Sequence, residues 1–314
     1  MDLSERRAAA ISANLSPAIN TQDLWKRYRS TTAVAGLTMT VPRGQVFGFL
    51  GPNGAGKTTS VKMLLGLARP TSGEAWVLGR RVGDLAGRRR IGYLPELFRY
   101  QGWLTGREVL RYHCRLAGIP RPYWAAEAQR ALDVAGLPLR GDERVSSYSK
   151  GMQQRLGLGV ALLGKPELVV LDEPTSALDP VGRHDVRAII RSLAANGTTV
   201  FLNSHLLDEV EQVCDRVAIL DRGRVIATGD VRELLAGEGG VRLRVTGLTP
   251  TDRAALTRFG PLSDEDGWLV VAGVARDAIP EIVSATVRLG GRVHGVEALR
   301  RTLEDRFLAL LDRG

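Results

Sequence analysis

The chain has 314 residues, of which 44% are hydrophobic and 25% charged, and its net charge is +9. These proportions are typical of a soluble globular protein, and the length gives one large domain or two with ample material for a core. No uncharged stretch is as long as the roughly 18 residues that a transmembrane helix needs.

The termini and the cysteines give little sign of export. Residues 1–18 carry Asp2 and Glu5, which makes them a poor secretory signal, and we expect a loose tail. Cys114 and Cys214 lie in helical patterns, where a lone buried thiol is the usual finding. Neither a disulfide scaffold nor a cysteine metal site is indicated, and a reducing cytoplasm fits.

The first predicted elements are strands. Apolar and polar residues alternate over 20–28 and 34–50, which predicts strands of an antiparallel sheet. The end of the second segment, Val46–Leu50, is an unbroken apolar run typical of a buried strand. The segments that follow predict a helix at 58–67 and strands at 74–78 and 90–94.

A G-x-x-x-x-G-K-[ST] motif follows the apolar strand and opens the helix. It is formed by Gly51, Pro52, Asn53, Gly54, Ala55, Gly56, Lys57, Thr58 and Thr59. In this context the motif is a phosphate-binding loop, because its glycines let backbone N–H groups surround an anion at a helix N-terminus. We expect Lys57 to reach the β- and γ-phosphates of a nucleoside triphosphate, and Thr58 to bind Mg²⁺.

The pattern is helical from about residue 105 to 164 and then alternates again. Thr105 and Glu108 form a capping box at the start of a helix that ends near residue 117. Asp179 followed by Pro180 is a helix N-cap with proline at the first helical position. The remaining predictions are helices at 123–135 and 180–195, strands at 168–171 and 199–202, and a hairpin of 217–220 with 224–227.

Two carboxylates follow the short apolar strand at 168–171. Ligands collect at the carboxyl ends of parallel strands, so we expect Asp172 beside the phosphate loop, holding the Mg²⁺ shell. Glu173 is expected to take a proton from the attacking water. The alternative is an exposed acid pair in a turn before Pro174, which the four preceding apolar residues disfavour.

A histidine follows the next strand. His205 is expected at the same edge of the sheet, where it would hydrogen-bond the γ-phosphate or the attacking water. The alternative for a lone histidine is a helix-capping residue.

Glycines at 237, 239 and 240 mark a domain boundary. The sequence therefore predicts a tail at 1–18, a nucleotide-binding domain at 19–238 and an accessory domain at 239–314. The last domain has no catalytic constellation, and its pattern predicts strands at 241–246, 268–272 and 291–296 and helices at 251–259, 277–289 and 299–312.

Further segments resemble the motifs of ATP-binding cassette (ABC) ATPases. Residues 148–155, Tyr-Ser-Lys-Gly-Met-Gln-Gln-Arg, resemble the family signature. Residues 176–179, Ser-Ala-Leu-Asp, resemble the D-loop, and His205 resembles the switch histidine. Tyr28 matches the aromatic residue that stacks on adenine. The motifs occur in the family's order and span roughly residues 20–235.

The resemblance implies a fold and a mechanism. The fold is an α/β phosphate-loop NTPase with a mixed-sheet core, an antiparallel β subdomain and a helical subdomain, followed by a small α+β domain. ATP and Mg²⁺ are the implied cofactors. Two cassettes pair head to tail, so that Ser149 and Gly151 of one face the γ-phosphate held by the other.

Two positions depart from the family pattern. The usual signature is Leu-Ser-Gly-Gly-Gln, and Tyr148, Lys150 and Met152 differ from it, although Ser149 and Gly151 remain. Glu96 stands where most cassettes have a glutamine that senses Mg²⁺ and contacts the membrane partner. A carboxylate can ligate Mg²⁺ through oxygen but cannot donate an amide N–H.

Glu96 and the C-terminal segment 302–308 resemble exporter cassettes of the daunorubicin-resistance type. The resemblance implies a homodimeric ATPase subunit at the cytoplasmic face of the membrane, docked through residues 98–140 on a separate multispan permease. Multidrug or antibiotic efflux is one form of this transport.

Two other functions compete with transport as interpretations of the sequence. The charge of +9 fits a soluble ABC ATPase acting on nucleic acid or ribosomes, but the chain has one phosphate loop and no coiled-coil or zinc insert. We therefore expect no nucleic-acid partner, and the basic run at 88–90 is interpreted as a solvated face. Glu173 and His205 disfavour a module that binds nucleotide without hydrolysing it.

Overall fold

A computed structural model of the chain describes residues 16–176, 178–235, 239–299 and 302–311. The chain divides into two compact units, with the division between Gly229 and Asp230. The predicted tail lies almost entirely outside the described residues, as does Ala177 of the D-loop segment.

The first unit contains a small antiparallel sheet. Its strands are β1 (Ile19–Tyr28), β2 (Thr31–Val41), β4 (Ser72–Val77) and β5 (Arg80–Arg81), in the order β2-β1-β4-β5. Ile19 pairs with Val41 on one side and with Val77 on the other, and all three side chains are buried. The sheet therefore packs one apolar face on the core, as alternation predicts.

The second sheet has six strands and carries the phosphate loop. Its order is β10-β9-β3-β8-β7-β6, and β9, β3, β8, β7 and β6 are parallel. The strands are β3 (Val46–Leu50), β6 (Ile91–Leu94), β7 (Leu168–Asp172), β8 (Thr199–Asn203), β9 (Arg216–Asp221) and β10 (Arg224–Asp230).

The prediction that all of residues 34–50 belong to an antiparallel sheet is wrong for the last part of this segment. A turn over residues 42–45 separates β2 from β3, and β3 joins the parallel sheet instead. Pro42 cannot donate a ladder hydrogen bond, and Gly44 has a φ of +67°, so the chain leaves the first sheet here.

Seven α-helices lie in the described part of the first unit. They are α1 (Lys57–Leu64), α2 (Leu85–Arg88), α3 (Gly106–Leu116), α4 (Trp124–Val134), α5 (Lys150–Ala161), α6 (Pro180–Ala195) and α7 (Leu207–Val213). The core of the parallel sheet includes Phe47, Phe49 and Phe201, and the ring of Phe201 contacts the rings of the other two. Helices α3, α4 and α5 share a separate core that includes Leu110 and Leu132. The two cysteines are buried free thiols, as predicted.

The second unit is an α+β arrangement with an antiparallel sheet in the order β12-β13-β11-β14. Its elements are α8 (Val231–Leu235), β11 (Gly240–Thr246), α9 (Pro250–Leu256), β12 (Leu262–Glu265), β13 (Trp268–Ala272), α10 (Ile279–Arg288), β14 (Arg292–Leu299) and α11 (Leu303–Leu311). From β11 to β14 the element order is β-α-β-β-α-β, the ferredoxin-like pattern.

Two details of the second unit differ from the prediction. Strand β12 was not predicted because Leu262 is its only apolar residue, although Asp266-Gly267 after it is a two-residue hairpin signal. The last helix begins at Leu303 and not at residue 299, since Leu299 pairs with Gly240 in the sheet. Across the described ranges of both units, no helix is long and apolar enough to cross a membrane.

Candidate functional site

Three polar segments of the first unit meet at one edge of the parallel sheet. Strand β8 lies between β3 and β7, and Asn203 at its end pairs with Phe49 on one side and Asp172 on the other. The strands run in the same direction, so the segments that follow them lie side by side. The phosphate loop comes directly after β3, and Glu173 comes directly after β7. His205 lies shortly beyond Asn203, the last residue of β8.

The phosphate loop is shaped by two glycines that have no room for a side chain. A Cβ at Gly51 would lie 2.5 Å from the carbonyl oxygen of Leu220, and one at Gly56 would lie 2.2 Å from that of Ala33. Gly56 is the N-cap of α1 and has no side chain to accept the first N–H groups of the helix. These N–H groups are therefore available to an anion.

The turn between β9 and β10 supports the loop from the side. The N–H of Gly223 donates to the carbonyl oxygen of Ala55 at 2.9 Å, and the Gly223 oxygen accepts from Ala35 N–H at 2.8 Å. Gly223 has a φ of +79°, and a Cβ there would lie 3.0 Å from Val34 Cα. The turn is thus fitted between the loop and β2.

Substituting Gly223→Ala is expected to lower ATP affinity about tenfold, equivalent to about 1.4 kcal/mol. The Cβ would push the turn away from the loop and weaken its hydrogen bond to Ala55. Gly197→Ala is the matched control, because Gly197 has a φ of +84° and open space around it. Equilibrium binding of ATP should separate the two variants, and equal affinities would show that the turn does not support the loop.

Lys57 lies at the centre of the site. Its side chain is buried, and its Nζ donates to the carbonyl oxygens of Gly51 at 2.7 Å and Pro52 at 3.2 Å. Burial lowers the pKa of Lys57, while the negative charges of nearby carboxylates act in the opposite direction; these belong to Glu173, Asp172 and Glu96. The fold thus brings four of the predicted site residues within electrostatic range of one another.

Asp172 ends β7 and is almost fully buried. Its Oδ1 accepts a hydrogen bond from Nδ2 of Asn203 at 2.5 Å. Burial raises the pKa of Asp172, and the hydrogen bond from Asn203 opposes that rise because it stabilises the ionised form. The position at a strand end beside Lys57 is the one predicted.

Glu173 adopts a strained backbone conformation that the sequence does not predict. Its φ is +52°, in the left-handed region that costs a side-chain-bearing residue about 1–2 kcal/mol. Its N–H donates to the carbonyl oxygen of Asn203 at 2.9 Å. Its buried carboxylate then reaches the half-exposed ring of His205, with Oε1 2.8 Å from Nδ1. The two residues predicted to be catalytic are therefore in direct contact.

Glu96 and Tyr28 lie at the periphery of this group. Glu96 is exposed in the loop after β6, and its charge acts on both Lys57 and Asp172. Tyr28 ends β1 and is 47% exposed, and Nζ of Lys26 lies 4.7 Å from the centre of its ring. Tyr28 pairs with Thr31 in β2, the strand that contacts Gly56 through Ala33.

The signature segment lines a different cleft of the first unit. Ser149 is the N-cap of α5, and its hydroxyl accepts from Met152 N–H at 3.2 Å. The cleft has a volume of about 340 Å³ and is lined by Ser149, Gly151 and residues of the D-loop segment and α6, including Leu178 and Asp179. No residue of the phosphate loop is among the described residues that line it.

The oxygen atoms at the sheet edge fit a magnesium ion that is shared with a nucleotide. Thr58 is exposed in the first turn of α1, next to Lys57, and Asp172 offers a carboxylate. Within the described ranges, no three His, Cys, Asp or Glu side chains are grouped to hold a metal by themselves. Mg²⁺ usually combines one or two carboxylates with substrate phosphates and water, so this donor set is sufficient.

Two residues of the site were not predicted from the sequence. Asn203 follows the predicted strand at 199–202, and Gly223 lies in the turn of the predicted hairpin. The hairpin signal located Gly223, but nothing local indicates that its turn contacts residue 55. Asn203 is a polar residue at the end of an apolar strand, the same signal that identified Asp172.

Comparison with known proteins agrees with this geometry. A protein-family model described as ABC transporter matches residues 34–176. A daunorubicin resistance ATP-binding protein of Streptomyces coeruleorubidus is 40% identical over 301 residues, which cover 93% of this chain and 95% of that protein. The Nod factor export ATP-binding protein I of Ralstonia nicotianae is 36% identical over 308 residues, which cover 95% of each chain.

A solved structure gives the same result for the fold. An ATP-binding subunit of an ABC transporter is 30% identical and has a TM-score of 0.62, covering 69% of this chain and 91% of that one. The predicted fold class, family and ATPase activity are confirmed. The chain belongs to the ABC transporter ATP-binding proteins, and it is an ATP-binding and ATP-hydrolysing subunit of that family.

Proposed function

We propose that this chain couples ATP hydrolysis to export through a separate membrane permease. The observation that carries the proposal is the convergence of Lys57, Asp172 and the Glu173–His205 pair beside the phosphate loop. The similarity to daunorubicin-resistance and Nod factor export proteins extends over nearly the whole chain and supports the direction of transport. Efflux of drugs or antibiotics is one form of this activity.

The phosphate loop binds the triphosphate of ATP, with Lys57 on the β- and γ-phosphates. Thr58 and Asp172 would hold Mg²⁺, which would supply positive charge to the phosphates, and Glu96 would contribute a further carboxylate. Glu173 takes the proton of the attacking water, and His205 orients the water or the γ-phosphate. The half-exposed ring of Tyr28 stacks on adenine.

Two copies of the chain complete each other's site. Gly151 supports this proposal, because a Cβ at Gly151 would meet no atom closer than Leu178 Cδ2 at 3.8 Å. The packing within one chain therefore does not require glycine there, whereas close approach of an anion to the N-terminus of α5 does. Ser149 and Gly151 of one copy face the γ-phosphate of the other.

The helical segment 98–140 docks on the permease at the cytoplasmic face of the membrane. The segment and its N-terminal flank expose large apolar side chains that a globular surface normally buries: Leu97, Trp103, Tyr112, Leu116, Tyr123 and Leu139. Residues 19–238 form the ATP-binding domain in this proposal. Residues 239–314 are accessory, and residues 1–18 are a tail.

The alternative of a nucleic-acid or ribosome partner is not favoured. In the basic run at 88–90, Arg88 donates to the carbonyl oxygen of Gly66 at 2.6 Å, and Arg90 pairs with Glu167 at 2.5 Å. Two of the three arginines are thus engaged by the chain itself, which supports the expectation of no nucleic-acid partner.

Affinity purification of the tagged chain from mild detergent extracts tests the proposal. We expect a multispan membrane protein to co-purify with two copies of this chain, as measured by native mass spectrometry. A matched variant in which Leu97, Trp103 and Tyr112 are replaced by serine should lose the partner and keep ATP binding. Repeated recovery of the chain alone, or with nucleic acid in a salt-dependent complex, would contradict the proposal.

A further inference from the structure

Asn203 lies in the middle of the three strand ends and contacts the two acidic residues at the end of β7, Asp172 through its side chain and Glu173 through its backbone. Its side-chain Nδ2 donates to Oδ1 of Asp172 at 2.5 Å. Its backbone oxygen accepts from the N–H of Glu173 at 2.9 Å. Asn203 is only 2% exposed, so these contacts are shielded from water.

The orientation of the Asn203 amide follows from the chemistry of its neighbour. An ionised carboxylate can only accept hydrogen bonds, so the NH₂ group must face Asp172 and the amide oxygen must face away. That oxygen, Oδ1, is buried and has no hydrogen-bond partner among the described residues. A buried acceptor without a partner destabilises the fold, and native proteins seldom contain one without a functional reason.

The free oxygen lies on the side of the sheet that faces α1. Asn203 pairs with Asp172 and Phe49, and paired residues of neighbouring strands project to the same face of a sheet. Phe49 belongs to the cluster that includes Val61 and Met63 of α1. The side chain of Asn203 therefore occupies the end of this face, where α1 begins with Lys57 and Thr58.

We propose that Asn203 is a positioning residue of the metal site. Its amide N–H fixes one oxygen of Asp172 and leaves the other for the divalent cation. Its amide oxygen accepts a hydrogen bond from a water molecule bound to that cation. Mg²⁺ usually keeps several of its waters, and groups that hold ligands from outside the coordination shell tune metal affinity. This inference rests on the proposed binding of ATP with Mg²⁺.

The test compares nucleotide binding with and without metal in the Asn203→Leu variant. Leucine has a similar size and no hydrogen-bonding group. The affinity of the full chain for a fluorescent ATP analogue is measured in Mn²⁺ and in EDTA. We expect the gain in affinity from Mn²⁺ to fall about 10- to 100-fold in the variant, and the affinity in EDTA to stay unchanged.

Gln45→Leu is the matched control. Gln45 also has a buried amide oxygen without a hydrogen-bond partner in the described part of the chain, but it lies just before β3, at the opposite end of the same sheet. Its substitution should leave the Mn²⁺ effect at the parental value. Asn203→Ser keeps the test valid if leucine prevents folding, because its single hydroxyl replaces at most one of the two contacts and should give an intermediate loss.

The outcomes separate this inference from the function on which it rests. An unchanged Mn²⁺ effect in folded Asn203→Leu or Asn203→Ser overturns the role of Asn203 alone. If the parental chain binds the analogue neither in Mn²⁺ nor in EDTA, the proposed nucleotide site is overturned, and this inference is overturned with it.

Discussion

A chain carrying Glu173→Gln is expected to bind ATP with parental affinity and to hydrolyse it about 10²- to 10⁴-fold more slowly. The amide has nearly the same shape as the carboxylate and can still contact His205, but it cannot take a proton from water. The loss corresponds to about 3–5 kcal/mol in the barrier. Phosphate release under steady state and equilibrium binding of ATP measure the two effects separately.

Glu209→Gln is the control for this substitution. Glu209 is also a buried glutamate, but it lies in α7 and pairs with Arg187 at 2.7 Å. A glutamine there can still accept from Arg187, so turnover should stay at the parental rate. Parental turnover in Glu173→Gln would instead show that another group is the base.

A chain carrying Gly56→Ala is expected to lose ATP affinity by about 100-fold or more, equivalent to about 2.7 kcal/mol. Gly56 has a φ of +97°, and its Cβ would lie 2.2 Å from the carbonyl oxygen of Ala33. Both β2 and the loop would have to shift, which moves the N–H groups that open α1. Isothermal titration with ATP measures the loss, and circular dichroism checks that the fold is kept.

Gly54→Ala in the same loop shows how much of the loss in ATP affinity comes from backbone strain and how much from the clash with Ala33. Gly54 has a φ of +84° and nothing within 4 Å of its Cβ position, so alanine there adds only the left-handed strain of about 1–2 kcal/mol. We expect a loss of about tenfold or less. Equal losses in the two variants would mean that the contact with Ala33 does not shape the loop.

The sequence predicts the elements of this site whose signal is local. The run of apolar residues in β3 and β7 and the spacing of the phosphate-loop glycines were sufficient to place Lys57 and Asp172 at the edge of a parallel sheet. Hairpins and helix starts that carry characteristic turn or capping residues were also predicted correctly, as the capping box at Thr105 illustrates. The roles assigned to individual site residues remain predictions.

The features that were missed depend on contacts between distant segments. Glu173 combines a left-handed φ with a hydrogen bond to Asn203 in another strand. The Oδ1 atom of Asn203, which has no hydrogen-bond partner in the described part of the chain, indicates a role at the site only because Asp172 lies beside it. The local pattern also could not predict which sheet β3 joins after the turn at 42–45. Alternation of apolar and polar residues indicates a strand, but it does not indicate the strand's neighbours.

The support that Gly223 gives to Ala55 has a consequence for biosynthesis. The phosphate loop is translated before the parallel strands beside it and long before the turn that holds it. A chain that is still being synthesised therefore has the loop's residues without its final shape, and such non-local pairing is slow to form. Nascent chains should remain unable to retain nucleotide until the β9–β10 hairpin has been made.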